Sequence, residues 1–152
     1  MFIRLIIFLL INFAALAIGG LSTGGAVSET WYLTLNKAPW TPPGWVFGAV
    51  WTSIMVCFSF FMAKMWEISQ HKTMLLLLFS VQWILNVGWN PLFFSMHLVL
   101  LSLIVIVLLT GLVGFFFFSS FQKSKLVSLL VLPYFIWLMI ASSLNAYIYL
   151  YN

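Results

Sequence analysis

The side chains of this sequence that could do chemistry are amides and indoles set inside apolar runs, rather than paired acids or metal ligands. Gln82, Asn86 and Asn90 recur at i, i+4 and i+8 in one run, with Trp89 beside them. Tyr134, Trp137, Ala141 and Asn145 form a comparable stripe in another run, and such spacings place side chains on one face of a helix. Two further runs carry Gly48, Trp51, Thr52, Met55 and Ser59, and Asn12, Ala15, Gly19 and Thr23. Polar groups are expensive in hydrocarbon and face a bundle interior, where indole faces and amides together can line a pocket with large ring faces and a few hydrogen-bonding groups. Acid–base hydrolysis is not expected, because Glu29 and Glu67 lie outside the runs and no nucleophile stands beside a base. The same stripes also suit plain interhelical hydrogen bonds, worth about 1 kcal/mol each.

Those runs must be placed before the stripes mean anything. Hydrophobic residues make up 64% of the chain and charged residues 5%, against roughly one quarter charged in a soluble domain. The chain therefore reads as an all-α integral membrane protein, a single domain over residues 1–152. Its runs are apolar all round rather than alternating, which predicts spanning helices over 5–23, 45–66, 73–94, 98–118 and 126–150. Arg4, the apolar core after it and Ala15-Leu16-Ala17 also resemble a signal peptide, but the segment is read as a retained first span. The fourth run offers only Ser102, Thr110 and two Gly, and is expected to form lipid-facing wall. Pro91 is expected to kink or end the third helix.

Charge gives orientation and excludes a partner. Six basic residues leave a net charge of +4, yet they are scattered singly, so no nucleic-acid partner is expected. Arg4, Lys64, Lys72, Lys123 and Lys125 fall on the side of the N-terminus and Lys37 alone on the other, which puts the N-terminus in the cytoplasm and the C-terminus outside. Cys57 is the single cysteine, so neither an intrachain disulfide nor a cysteine metal cluster is available.

The stretch from Trp31 to Trp51 interrupts this pattern, holding four of the eight Trp and three of the five Pro. Pro39, Pro42 and Pro43 prevent a helix from running through Lys37 to Pro43, so the linker 24–44 reads as a stiff lid at the bilayer surface. Trp31, Trp40, Trp45 and Trp66 fit an interfacial belt. Trp51, Asn86 and Ala141 fall about 9, 12 and 13 Å below the outer ends of their helices, with Trp137 deeper. Their common depth predicts an almost uncharged pocket beneath the lid.

Three segments, WYLTLNKAPWTPPGWVFGAVW, LNVGWNPLFF and LPYFIWLMIASSLNAYI, occur in an order and setting that resemble the tryptophan-rich sensory protein family (TspO/MBR), whose mitochondrial members are the translocator proteins or peripheral benzodiazepine receptors. The likeness covers nearly the whole chain. It departs at Ala38-Pro39, where many members place the Pro directly after the Lys. The resemblance implies a five-helix bundle, often a homodimer, that binds protoporphyrin IX and synthetic benzodiazepine-type ligands under the first linker. Carried over by motif, the ligand-binding residues would be Tyr32, Pro42, Trp51, Asn86, Trp89, Asn90, Trp137 and Ala141. No catalytic residue is certain; light-dependent porphyrin breakdown, attributed to some bacterial members, would fall to Trp51 and Trp137.

The residues bear on ligand type independently. His71 and His97 lie at opposite faces, about 30 Å of hydrocarbon apart, so neither serves as an axial ligand and metal-free porphyrin is favoured, with no resident cofactor or metal expected. A sterol ligand is not expected, because no basic residue follows Tyr134. Three function classes follow: a porphyrin-binding regulatory protein, a photo-oxidative porphyrin-degrading enzyme, and a passive conduit without embedded charge for ion coupling. A bacterial cytoplasmic membrane fits the short loops and the orientation.

Overall fold

The computed structural model describes residues 1–25 and 29–152; the part of the expected lid over 26–28 lies outside the described residues. Helix α1 spans Phe2–Thr23, the short α2 Thr30–Thr34, α3 Gly44–Ile68 and α4 Lys72–Asn90. After α4 comes a π-helical turn, Pro91–Ser95, then α5 over Val99–Phe121, α6 over Lys125–Ser128 and α7 over Leu132–Tyr151. Five stretches are long and apolar enough to cross a bilayer: Phe2–Thr23, Gly44–Ile68, Lys72–Ser95, Val99–Phe121 and Lys125–Tyr151. The chain is thus an all-helical, multi-pass membrane protein with five candidate spans.

Proline and turn residues set the boundaries. Pro43 precedes α3, and the segment from Asn36 to Pro43 is not helical, as the missing amides require. Pro91 ends α4 as expected, standing as its C-cap directly after Asn90, but the chain does not leave the helical path. Helical winding loosens there into the π turn, where the Met96 amide donates to the Pro91 carbonyl at 2.9 Å, five residues back. His97 then takes φ 55°, the left-handed region in which His is among the better tolerated side chains, and turns the chain into α5. The last span is not one continuous helix from 126 to 150. Leu129 to Val131 interrupt it, and Pro133 occupies the first turn of α7, where its lost amide has no helical partner to miss.

The spans close into a ring. Helix α1 packs on α3 and α4, α4 on α5, α5 on α7, and α7 returns to α3. Small residues allow the close approaches: a Cβ on Gly19 would lie 2.8 Å from Asn90 Nδ2, and one on Gly114 2.9 Å from a Phe135 ring carbon. Polar staples fix the register, with Asn12 Nδ2 donating to Ser59 Oγ at 2.8 Å between α1 and α3 and Thr110 bonded to Ser142 at 3.1 Å between α5 and α7. The α3–α7 seam is bridged by rings instead: Phe47 meets Trp137 edge-on at 5.3 Å, and Trp51 meets Tyr134 at 5.8 Å.

Helix α5 corrects the expectation of a plain lipid-facing wall. Leu100, Ile104, Leu108 and Phe115 do face outward, yet Ser102, Ile106, Leu109 and Val113 are buried and the helix packs more extensively on α7 than any other pair of spans. A wholly apolar run still has a face for lipid and a face for protein, and only the sparse Ser, Thr and Gly mark the second.

Candidate functional site

The linker lies across the end of the bundle where α1 finishes and α3 begins, held by specific contacts. Trp31 stacks on His97 with centroids 3.9 Å apart and planes 17° from parallel, and Tyr32 tilts against Phe94 at 5.6 Å. Asn152 clasps the backbone of Asn36 from both sides: its Oδ1 accepts from the Asn36 amide at 2.8 Å and its Nδ2 donates to the Asn36 carbonyl at 3.2 Å. Trp40 Nε1 donates to Ser143 Oγ at 3.2 Å and its ring meets Tyr147 edge-on. We call this segment the strap.

Beneath it is a cavity of about 50 Å³. Tyr32, Trp89 and Ala141 line it, joined by Lys37 and Thr41 from the strap and by Phe47, Phe93, Phe94, Leu144, Asn145 and Ile148 from the helices. Lys37 Nζ sits 4.4 Å from the centre of the Tyr32 ring, a cation–π contact at the mouth. Burial raises the pKa of the Tyr32 phenol above its ordinary value of 10.0, so at neutral pH it is a protonated hydrogen-bond donor. With the Asn145 amide turned so that both its ends are satisfied, its Oδ1 accepts from Trp89 Nε1 at 3.0 Å and Ser102 Oγ at 2.9 Å, while its nitrogen donates to the Val99 carbonyl at 3.2 Å. This amide fixes the orientation of the Trp89 indole.

A second layer lies below. Tyr134 is its hub: the hydroxyl accepts from Gln82 Nε2 at 2.8 Å and donates to Asn86 Oδ1 at 3.0 Å, and Trp51 packs edge-on against the ring. Trp137 is 5% exposed, and its Nε1 has no hydrogen-bond partner among the described residues, a state it shares with Gln82 Oε1. A buried indole N–H without an acceptor is a standing demand for one.

The sequence-predicted residues therefore divide by depth. Tyr32, Trp89 and Ala141 border the cavity; Trp51, Asn86 and Trp137 form the layer under it, engaged with Tyr134 and Phe47. Pro42 is a half-buried part of the strap. Asn90 turns elsewhere, accepting from Thr23 Oγ1 at 2.9 Å at the α1 contact. The reason is geometric: each four-residue step on an α-helix overshoots a full turn by about 40°, so Gln82 and Asn90 differ by about 80° around the axis. Lys37, Phe47 and the Phe93-Phe94 pair are absent from the motif-derived residues. In the sequence Lys37 marks only orientation, and the Phe pair reaches the cavity because the π turn re-aims it. Among the described residues no three His, Cys, Asp or Glu side chains come together. What the site offers chemically is ring stacking, a few directed amide and phenol hydrogen bonds, and one cation at the rim.

Comparison with known proteins agrees with this architecture. Residues 7–150 match the TspO/MBR family. The chain is 36% identical over 118 residues to the tryptophan-rich protein TspO of Chlorobaculum tepidum, covering 76% of this chain and 75% of that one. It is 32% identical over 131 residues to the tryptophan-rich sensory protein of Cereibacter sphaeroides, with 85% and 82% covered. The human translocator protein is 29% identical over 119 residues, with 76% and 70% covered. A match spanning nearly every residue, with the strap and both polar stripes inside it, decides the question: the chain belongs to the TspO/MBR family.

Proposed function

We propose that this protein is a single-domain, membrane-embedded binding protein for flat, hydrophobic aromatic molecules of the porphyrin class, protoporphyrin IX among them, taken up between the strap and the Trp51–Trp137 layer. The observation that carries the reading is the succession of two aromatic tiers beneath the strap. Tyr32 and Trp89 border the cavity, and Trp51 and Trp137 lie behind Phe47 and Tyr134. Ala141 leaves open space between the tiers where a larger residue would fill it. Lys37 at the rim suits the carboxylates that porphyrins carry on one edge, and the orphan Trp137 N–H suits an acceptor inside.

The cavity of about 50 Å³ is far below the roughly 300–1,000 Å³ of sites that enclose a small molecule. Binding a porphyrin thus requires the strap to lift and the Phe47 and Phe94 rings to swing aside. The site is closed at rest, and ligand entry is coupled to release of the Asn36–Asn152 clasp. Orientation belongs to the same proposal: the N-terminus lies in the cytoplasm, so the strap opens to the outside of a bacterial cytoplasmic membrane.

The test is titration of the purified protein with protoporphyrin IX in the dark. Saturable tryptophan quenching is expected, weakened at least tenfold by Trp137→Phe and by Ala141→Phe. Quenching that fails to saturate, or that neither substitution alters, overturns the reading. Illuminating the saturated complex in air then asks whether Trp51 and Trp137 also support degradation; an unchanged porphyrin spectrum removes that activity and leaves binding.

A further inference from the structure

A second and larger concavity, of about 620 Å³, lies away from the strap, between α1 and α4 at the end where both helices begin. Its floor is the edge-on pair Phe8 and Phe79, 5.2 Å apart, and its sides are the outward-facing Ile7 and Leu76. Trp83 closes the far end by donating its Nε1–H to the Ile11 carbonyl at 3.1 Å, from one helix to the other. From Arg4 to Ile11 the channel follows α1 for about 10 Å. It is long, apolar and open along one side.

Its near end is charged. The Arg4 guanidinium lies 6.0 Å and the Lys72 ammonium 5.8 Å from the centre of the same Trp66 ring. Neither has an acidic partner among the described residues. Glu67, the acid at this end, is held by the Met1 ammonium at 3.4 Å and by Lys64 at 3.7 Å. The first turns of α1 and α4 lack a side-chain cap, which leaves the positive ends of two helix dipoles beside the two cations.

We propose that this groove seats one anionic phospholipid, with its phosphate between Arg4 and Lys72 and one acyl chain along the Phe8–Phe79 floor. Interfacial Arg and Lys beside a Trp are the chemistry that recognises an anionic headgroup, and the 620 Å³ channel continues from that headgroup position toward the bilayer interior. A second copy of the chain fits less well. A two-fold contact centred on the groove is isologous and would bring the same unpaired cations together.

The full chain, purified in mixed micelles, is challenged with phosphatidylglycerol and phosphatidylcholine of identical acyl chains, and bound lipid is counted by native mass spectrometry. One phosphatidylglycerol molecule is expected to be retained in preference to phosphatidylcholine. Arg4→Gln combined with Lys72→Gln should weaken that retention by roughly 25-fold, about fivefold for each cation lost at a membrane surface. Arg4→Lys combined with Lys72→Arg should keep it, which separates charge from folding. Ser80→Trp, which fills the channel and leaves both cations in place, should displace the lipid. Equal retention of the two lipids, unchanged phosphatidylglycerol binding in the Gln pair, or a lipid-free dimer sealed across the groove would each overturn the proposal.

Discussion

Tyr134 is the residue on which the inner tier turns, because its hydroxyl serves Gln82 and Asn86 at once. Replacing it by Phe keeps the ring packing against Trp51 and Phe58 and leaves two buried amides short of a partner. Tyr134→Phe should therefore lower stability by about 1–2 kcal/mol, read as a fall in the detergent-solubilised unfolding midpoint, while Trp51→Phe should cost less because no hydrogen bond of Trp51 is lost. Lys37 tests a different quality of the site. Lys37→Gln should weaken protoporphyrin IX about fivefold, the worth of one solvent-exposed ion pair of about 1 kcal/mol, and leave a neutral aromatic ligand of similar size unchanged. Equal effects on both would assign Lys37 to holding the strap through Tyr32 alone. The phenol beneath it sets the pH range. Burial raises its folded-state pKa, so the unfolded chain ionises first. The contribution of the neutral phenol is whole below pH 10.0 and is lost only as pH rises through the raised value.

At the scale of elements, the proposed binding makes the strap the gate to the cavity. Its clasp on α7 is two hydrogen bonds between Asn36 and Asn152, reinforced by Trp40 on Ser143. Asn152→Ala removes the clasp without touching the cavity lining, so stopped-flow quenching should show porphyrin association several-fold faster, from the loss of about 1 kcal/mol per exposed bond. An unchanged rate would mean that entry does not require the strap to lift. That a cover exists was legible in the sequence, since three prolines forbid a helix between two spans and clustered indoles seek the interface. How it is fastened was not, because the clasp joins residues 116 positions apart and no local pattern foretells a partner so distant. Helical stripes were legible for the same reason in reverse: Gln82, Asn86 and Tyr134 follow from spacing. Asn90 did not, since the drift of the stripe around α4 hands it to α1 and Thr23. The π turn was likewise hidden, for Pro91 announces a disturbed helix without saying which way the next five residues wind.

At the scale of the whole molecule, the two ends of the bundle are chemically unlike, and that difference decides what each can meet. One end carries Lys37 and the strap; the other carries Arg4, Lys64, Lys72, Lys123 and Lys125. Basic residues near span ends are retained on the cytoplasmic side, so the orientation we propose sets the strap outside and the α1–α4 groove in the inner leaflet, where anionic lipid is concentrated. Thiol labelling in intact cells checks this. In a Cys57→Ser background, Ser124→Cys should be shielded from a membrane-impermeant reagent until the cells are opened, and Asn36→Cys should react at once. The opposite pattern would place the strap in the cytoplasm. Porphyrin would then enter from the cytoplasm rather than from outside. With the expected pattern the two concavities lie in opposite leaflets, separated by the Phe58, Phe61 and Phe116 core. Anionic lipid at one end and an aromatic ligand at the other then cannot compete for the same space, and the most direct route for any influence of one on the other is the two helices that border both, α3 through Trp66 and Phe47 and α4 through Phe79 and Trp89.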